Sequence, residues 1–220
     1  MEYFFTFDEY VPAGVGIDQF GPEHLGWIAF AAVFSLLISL RYRAIGERGK
    51  RRLRRGMALA LLLLEAGRVA ALAATGLYGL YYLPLHLCGI AVYLTIWHGL
   101  FSGKDNTLGE LLFSTCMPGA AFAILFPDWL FYPLLNYLSI TSFCVHTLLV
   151  AYPIMLVAGG TLRPDPKRLW RCFLILVVLA AGIYAFDRVF SANYMFLIVP
   201  APDSPLSFFE ALWGRPWYVL

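Results

Sequence analysis

Charged side chains are scarce in this chain of 220 residues. Asp, Glu, Lys and Arg together make up 14% of the sequence, whereas about one quarter of a water-soluble domain is charged. Hydrophobic residues account for 60%, and several apolar runs approach the ~20 residues with which a helix crosses a bilayer. The composition therefore excludes an ordinary soluble domain and predicts an all-α bundle of transmembrane helices.

Three other features are missing. No basic segment precedes an apolar run at the N-terminus, so we predict no signal peptide and expect the first span to direct insertion. The four cysteines lie in apolar segments without a CxxC pair, which argues against a disulfide framework. No compact ligand motif such as HExxH occurs. We therefore expect no cofactor and no resident metal ion.

The apolar runs predict six transmembrane helices in a single integral membrane domain, residues 1–220. Glycine, proline and polar residues separate the runs. The predicted spans are residues 24–40, 56–76, 83–101, 108–126, 137–158 and 169–186. Residues 217–220 look like the opening of another span, so we expect a seventh span to be missing or truncated at the C-terminus.

Basic residues fall mainly into alternate loops. The loop predicted from Arg41 to Arg55 holds eight, Lys104 adds one, and four more lie between Arg163 and Arg171. Thirteen of the sixteen lie on the cytoplasmic side if the N-terminus is outside, as the positive-inside rule requires. We predict this orientation, and we expect the basic run to contact anionic lipids rather than nucleic acid.

This topology places the polar groups of the spans at a shared depth. Glu65 and Arg68 are three residues apart, so they share a helix face and can pair. Only His98 falls at the inner end. The groups that converge on the outer side are His24, Glu65, Arg68, His86, Cys88, His146, Asp187 and Asn193. Burying a charged group in a membrane costs a few kcal/mol, so the set indicates a polar cavity, either a functional site or a structural hydrogen-bond network.

Cys88 is the candidate nucleophile of this cavity. Two residues on a helix point about 200° apart, so His86 is badly placed as its base, and His146 on another span has the right depth. A thiol near a helix N-terminus and a histidine can act as a nucleophile pair. The alternatives are an inert packing role for Cys88 and a metal site built from His86, Cys88 and His146 with Glu65 or Asp187.

Several blocks of the sequence resemble the YwaF-type integral membrane proteins of bacteria. They are Phe20-Gly21-Pro22-Glu23-His24-Leu25, the Glu65/Arg68 span, Leu83-Pro84-Leu85-His86-Leu87-Cys88, His146, Asn193-Tyr194-Met195 and the closing Gly-x-Pro-Trp-Tyr. The resemblance covers nearly the whole chain and implies a multi-pass protein of a bacterial-type cell membrane. It also implies kinship with a eukaryotic branch that includes a cysteine-dependent phospholipid acyltransferase. The nucleophile and histidine of that branch match Cys88 and His146.

We therefore expect an intramembrane lipid acyltransferase or acyl hydrolase that acts on a membrane phospholipid or acyl lipid. Cys88 would attack an ester, His146 would move the proton, and His86, Arg68 or Asn193 would contact the oxyanion or headgroup. The alternative is a non-enzymatic small transporter or ligand-binding membrane protein that uses the same cavity. Proline breaks inside the fourth and fifth spans favour that alternative. An assembly protein with a satisfied polar network is a third possibility.

Overall fold

The computed structural model describes residues 3–7, 10–101, 106–201, 204–215 and 218. All the regular structure in these residues is helical. The helices are α1 (Pro22–Ala44), α2 (Glu47–Ala74), α3 (Leu87–Leu100), α4 (Asn106–Leu111), α5 (Met117–Leu125), α6 (Tyr137–Ala158), α7 (Leu169–Phe190) and α8 (Pro205–Trp213). A π-helical segment, Leu112–Cys116, joins α4 to α5.

Five helical segments of the described chain are long and apolar enough to cross a membrane. They are Pro22–Ala44, Glu47–Ala74, Asn106–Leu125, Tyr137–Ala158 and Pro166–Phe190. The all-α, multi-pass prediction is confirmed at this level, while the count of six spans and the orientation stay predictions. Lys104 and residues 217, 219 and 220 lie outside the described residues.

The third predicted span, residues 83–101, is shorter than expected. A 3₁₀ turn ends at Tyr82, the backbone of Leu83 and His86 is extended, and α3 begins only at Leu87. Proline disfavours helical backbone in the residue before it, so Pro84 keeps this stretch out of the helix. The 14 residues of α3 rise about 21 Å, less than the roughly 30 Å of a bilayer core.

The predicted basic loop from Arg41 to Arg55 is wrong. α1 continues to Ala44 and α2 begins at Glu47, so only residues 45 and 46 separate the two helices. The run contains no proline, and arginine, lysine and leucine favour helix. Lys50 fixes the corner, because its ammonium pairs with Glu47 at 3.2 Å and donates to the Gly159 carbonyl at 2.9 Å. The helices therefore extend past their apolar segments.

α6 is the central helix of the bundle. It packs against α1, α2, α3 and α5, and 61% of its most apolar stretch is buried, against 11% for the segment that contains α7. A helix that is hydrophobic on all sides belongs in an interior or a membrane. α6 therefore forms the core, and α7 presents most of its apolar surface outward, as expected for contact with lipid.

The two ends of the bundle differ in composition. At one end, called the basic end, α1 finishes and α2 begins with the run from Arg41 to Arg55. At the other, called the thiol end, α2 finishes and α3 begins beside Cys88. Hydrogen bonds join distant segments at each end: His24 on α1 bonds the carbonyl of Ile124 on α5 at the thiol end, at 2.8 Å. The candidate residues can therefore be assigned to ends by contacts.

The π-helical segment coincides with one of the predicted proline breaks. Pro118 has no backbone N–H, so the carbonyl four residues earlier loses its helical partner. Two hydroxyls donate hydrogen bonds to backbone carbonyls one turn earlier. Ser114 Oγ donates to the Glu110 carbonyl at 2.7 Å, and Thr115 Oγ1 donates to the Leu111 carbonyl at 2.9 Å. The predicted interruption is thus a change of helical pitch within one continuous segment.

Candidate functional site

Cys88 lies in the first turn of α3. The first backbone hydrogen bond of the helix runs from the Ile90 N–H to the His86 carbonyl at 3.0 Å. The N–H groups of residues 87–89 therefore have no partner within the helix and point out of its N-terminus. Gly89 makes the turn possible, because a Cβ there would lie 2.9 Å from the Cα of Pro84. Cys88 thus belongs to a helix N-terminus with unpaired amides in the described chain, while its side chain packs against the apolar core.

His86 precedes α3 and contacts the segment after α7. The Met195 N–H donates to His86 Nδ1 at 3.2 Å, and the imidazole packs on the ring of Tyr194, with centroids 5.0 Å apart. Since Nδ1 accepts a hydrogen bond, the neutral ring carries its proton on Nε2. The backbone of His86 is extended (φ −63°, ψ 149°), so the helical spacing argument between His86 and Cys88 does not apply.

Tyr194 holds this contact in place. Its side chain is 2% exposed, and its hydroxyl donates to the carbonyl of Leu80. Burial raises the pKa of the Tyr194 phenol, so the group stays a neutral donor. The two sequence blocks that carry the resemblance most specifically, residues 83–88 and 193–195, are thus joined at the thiol end.

His146 lies on α6 with the opposite tautomer. Its Nδ1 is 2.7 Å from the Ser142 carbonyl, and a carbonyl can only accept, so Nδ1 carries the proton. Nε2 is therefore an unprotonated acceptor in the neutral ring, and it has no hydrogen-bond partner among the described residues. The indole of Trp129 stacks on the imidazole, with centroids 4.7 Å apart, and fixes the ring plane.

The thiol and His146 lie on helices that pack together. Cys88 lies in the first turn of α3, His86 directly precedes that helix, and α3 packs against α6, which carries His146. Asp128 directly precedes Trp129, the residue that stacks on His146. No hydrogen bond joins Cys88 to His146 within the described chain. The candidate groups are thus a half-buried thiol on α3, an imidazole donor just before α3 and an imidazole acceptor on α6.

The predicted pairing of Glu65 and Arg68 is confirmed. Arg68 Nε donates to Glu65 Oε2 at 2.9 Å and Nη2 donates to Oε1 at 2.7 Å, a bidentate pair. Tyr93 on α3 donates a third hydrogen bond to Oε1 at 3.1 Å. The pair therefore fastens α2 to α3. Tyr93 lies five residues after Cys88 on α3, so the pair is tied to the helix that carries the thiol.

His24 is fully buried and has both ring nitrogens occupied. The Phe20 N–H donates to Nδ1 at 2.9 Å, and Nε2 donates to the Ile124 carbonyl at 2.8 Å. The ring of Phe143 lies against the imidazole, with centroids 6.1 Å apart. His24 thus ties the start of α1 to the end of α5 and has no free nitrogen for chemistry.

Asn193 and Asp187 also lie at the thiol end. Asn193 closes its own turn: Oδ1 accepts from the N–H groups of Ile198 and Val199, and Nδ2 donates to the Val199 carbonyl. Asp187 on α7 is 1% exposed, and neither carboxylate oxygen has a hydrogen-bond partner among the described residues. Asp187 interacts electrostatically with Tyr194, so it borders the polar region without contacting the thiol.

A second polar cluster lies at the basic end, where the sequence predicted only His98. His98 Nδ1 and the Tyr152 hydroxyl are 2.7 Å apart, Arg54 Nη1 donates to the Tyr42 hydroxyl at 2.8 Å, and Tyr42 bonds Thr161 at 2.9 Å. Arg54 was assigned to a loop. It falls at helical spacing with the buried residues 57, 58, 61 and 65 of α2, and that period could have revealed it.

Asp128 and Trp129 are the other residues that the sequence did not single out. They follow Pro127 in the connection between α5 and α6, and Trp129 is 9% exposed. In the sequence they stand out only as an aspartate and an aromatic residue directly after a proline that ends a helix. This pattern is too common to identify a site. Among the described residues, no group of three or more His, Cys, Asp or Glu side chains is placed to hold a metal ion.

Comparison with known proteins gives one match. Residues 19–220 fit the family model of the TMEM164 family, whose members are transmembrane proteins. No curated protein and no solved structure matches the chain significantly. The match covers every residue of the thiol end discussed above. The YwaF-type resemblance is a finer statement and stays a prediction.

Proposed function

The chain belongs to the TMEM164 family of transmembrane proteins, and we propose that it is a thiol-dependent lipid acyltransferase or acyl hydrolase of a cell membrane, as the bacterial-type resemblance implies. Its substrate would be a membrane phospholipid or another acyl lipid. Cys88 is the proposed nucleophile, and His146 is the proposed general base and acid. His86 is proposed as a hydrogen-bond donor to the reacting carbonyl.

The observation that carries this proposal is the complementary protonation of the two histidines. His146 uses Nδ1 on the Ser142 carbonyl, which leaves Nε2 as an acceptor, whereas His86 accepts the Met195 N–H and leaves Nε2–H as a donor. A general base needs the first state and an oxyanion donor needs the second. A purely structural pair gains nothing from keeping one acceptor and one donor without partners.

The proposed reaction has two balanced halves. Cys88 Sγ attacks the ester carbonyl while its proton passes to His146 Nε2. The ester C–O bond then breaks, the lysolipid alcohol leaves with that proton, and a thioester remains on Cys88. In the second half His146 Nε2 takes the proton of an incoming alcohol or water, whose oxygen attacks the thioester carbonyl and forms a new C–O bond. The C–S bond breaks, the new ester or the fatty acid leaves, and His146 returns the proton to the Cys88 sulfur.

The N-terminus of α3 supports this chemistry. Cys88 belongs to the first turn of α3, whose N–H groups at residues 87–89 have no partner within the helix; in the proposed reaction these groups and the positive end of the helix dipole would stabilise a developing oxyanion. The outer flank of α3 is apolar and open, with Tyr93 and Trp97 46% and 57% exposed. These two residues lie about 140–180° around α3 from Cys88, so this flank contacts lipid on the side of the helix away from the thiol, which itself packs against the apolar core. Glu65 neutralises the charge of Arg68. We therefore assign Arg68 a positioning role: it holds the Glu65 carboxylate that accepts a hydrogen bond from Tyr93.

The test is acyl turnover by the full chain in nanodiscs. The membrane contains a phospholipid with a labelled acyl chain and a lysophospholipid acceptor, and the products are labelled phospholipid and free fatty acid. We expect turnover by the wild type, and none by Cys88→Ala. Without acceptor, mass spectrometry should find a hydroxylamine-sensitive acyl group on Cys88.

Cys144→Ala is the matched control, because Cys144 is another half-buried free thiol two residues from His146. It should keep wild-type turnover. Wild-type turnover by Cys88→Ala would exclude the covalent mechanism. A folded wild type that neither transfers nor hydrolyses any acyl chain would exclude the function.

One observation favours a non-enzymatic ligand-binding protein or transporter. The π-helical segment Leu112–Cys116 interrupts a span, and such segments recur at binding sites and gates. Uptake of the labelled lipid into sealed vesicles by the wild type and by Cys88→Ala alike would support transport. Loss of both activities in Cys88→Ala would support the enzyme.

A further inference from the structure

An apolar groove lies on the surface of the bundle between α1, α5 and α6. Its volume is about 570 Å³, and its walls include Ala32 and Leu36 on α1, Leu125 on α5 and Ile154 on α6. Sites for small molecules typically measure about 300–1,000 Å³. Neither Cys88 nor His146 lines the groove, so it is separate from the thiol end.

Two buried hydroxyls line the groove without a partner. Ser35 and Ser39 are 6% and 7% exposed, and neither Oγ has a hydrogen-bond partner among the described residues. Serine in a helix usually bonds the carbonyl one turn back or faces water. A buried hydroxyl without a hydrogen bond is costly. These two donors therefore indicate a ligand with acceptors at their depth.

A cation closes the groove at the basic end. Arg43 lines the groove, is exposed, and forms no ion pair within the described chain. Ser35, Ser39 and Arg43 are spaced four residues apart, so they lie on one face of α1 with about 6 Å between neighbours. From the end of α1 toward its middle, the groove offers a positive charge, then hydroxyl donors, then apolar walls.

We infer that this groove binds one anionic glycerophospholipid. Its phosphate lies at Arg43, its ester carbonyls accept from Ser39 and Ser35, and one acyl chain follows the apolar walls. The charge at the end of the groove favours an anionic headgroup, since a basic residue near the membrane surface attracts anionic lipid. An apolar helix from a second copy would fill the walls but would leave the serine hydroxyls and the arginine without partners.

The test is native mass spectrometry of the full chain after equilibration with phosphatidylglycerol or with phosphatidylcholine of the same acyl chains. We expect one phosphatidylglycerol to be retained. Arg43→Gln should weaken its retention about fivefold and leave phosphatidylcholine unaffected. Ser39→Ala should weaken retention of both lipids, because both carry the esters. Ala32→Trp fills the groove from an exposed position and should abolish retention.

Arg41→Gln is the matched control, because Arg41 is exposed at the same end of α1 but does not line the groove. It should retain phosphatidylglycerol like the wild type. Equal losses in both arginine variants would mean diffuse attraction to the basic end and would overturn the inference. Unchanged retention by Ala32→Trp, or conversion of a dimer to a monomer by that variant, would do the same. The readout is retention, so the result does not depend on turnover at Cys88.

Discussion

The two polar clusters of the bundle use the same residue types in opposite ways. At the basic end His98, Tyr152, Tyr42 and Arg54 are 0–7% exposed and bond to one another's side chains or to Thr161. At the thiol end His86 and His146 are half-buried and bond to backbone groups through Nδ1, and neither Nε2 has a hydrogen-bond partner in the part of the chain that the structure describes.

This contrast separates a structural role from a chemical one. When a side chain forms hydrogen bonds with side chains of other helices, its donors and acceptors are occupied and hold those helices together. A histidine oriented by the backbone through one nitrogen keeps the other available. The basic end should therefore govern stability, as should the Glu65–Arg68 pair, whose bonds are also to side chains, whereas His86 and His146 should govern turnover. Four substitutions test this division, and the largest effect is expected at the base.

The largest effect is expected for the base. His146→Gln removes the acceptor at Nε2 and should lower acyl turnover about a thousandfold, within the range of general acid–base catalysis. Its counterpart at the other end, His98→Gln, should lower stability and leave turnover per folded protein unchanged. Initial rates in nanodiscs, normalised to folded protein, measure both. Equal loss of turnover in the two variants would contradict the assignment of a structural role to the basic end and a chemical role to the thiol end.

The next effect is expected for His86. His86→Phe keeps an aromatic ring against Tyr194 and removes the Nε2–H donor. Turnover should fall about a hundredfold, as for the loss of an oxyanion donor. The loss should appear in kcat with KM unchanged, because the donor acts in the transition state. A change in KM alone would assign His86 to substrate binding instead.

A smaller effect is expected for the ion pair of α2. Glu65→Gln leaves Arg68 without its carboxylate, and the two side chains are 11% and 21% exposed. The cost should be about 2 kcal/mol, between that of an exposed pair and that of a buried one. Equilibrium unfolding in mixed micelles measures it. Glu47→Gln, whose carboxylate is 78% exposed beside Lys50, is the control and should cost much less.

The smallest effect is expected for one hydroxyl at the basic end. Tyr152→Phe removes the partner of His98 Nδ1, 2.7 Å away, and should cost about 1 kcal/mol of stability. Tyr184→Phe, on the exposed surface of α7, should cost nothing measurable in the same unfolding assay. If Tyr152→Phe instead reduced turnover at unchanged stability, the basic end would carry chemistry as well.

Features that depend on neighbouring residues could be predicted from the sequence. The apolar runs gave the helical membrane architecture, because burying backbone in lipid requires internal hydrogen bonding. The three-residue spacing gave the Glu65–Arg68 pair. The sequence did not show that α3 begins only after Leu83–His86, and the predicted basic loop was wrong. An apolar run marks the part of a helix that faces lipid, whereas the helix itself can begin or end outside that run.

Features that depend on which helix faces which could not be predicted. Tyr42 and Thr161 are 119 residues apart in sequence, and His24 and Ile124 are 100 apart. The predicted depth in the membrane was the only reason to group His24 and Asn193 with the Cys88 thiol. Contacts instead give His24 a tie between α1 and α5, and they give Asn193 the closure of its own turn.

The amino-acid sequence alone predicts the membrane class of this protein and the chemical types at its thiol end: the thiol of Cys88, the imidazoles of His24, His86 and His146, and an acid–arginine pair. Local helix geometry even set the tautomer of His146, because Ser142 is one turn away. The protonation of His86 instead depends on a long-range contact, since the N–H that bonds its Nδ1 comes from Met195, 109 residues later. Composition fixes which groups are present, and long-range contacts fix which of their atoms stay free.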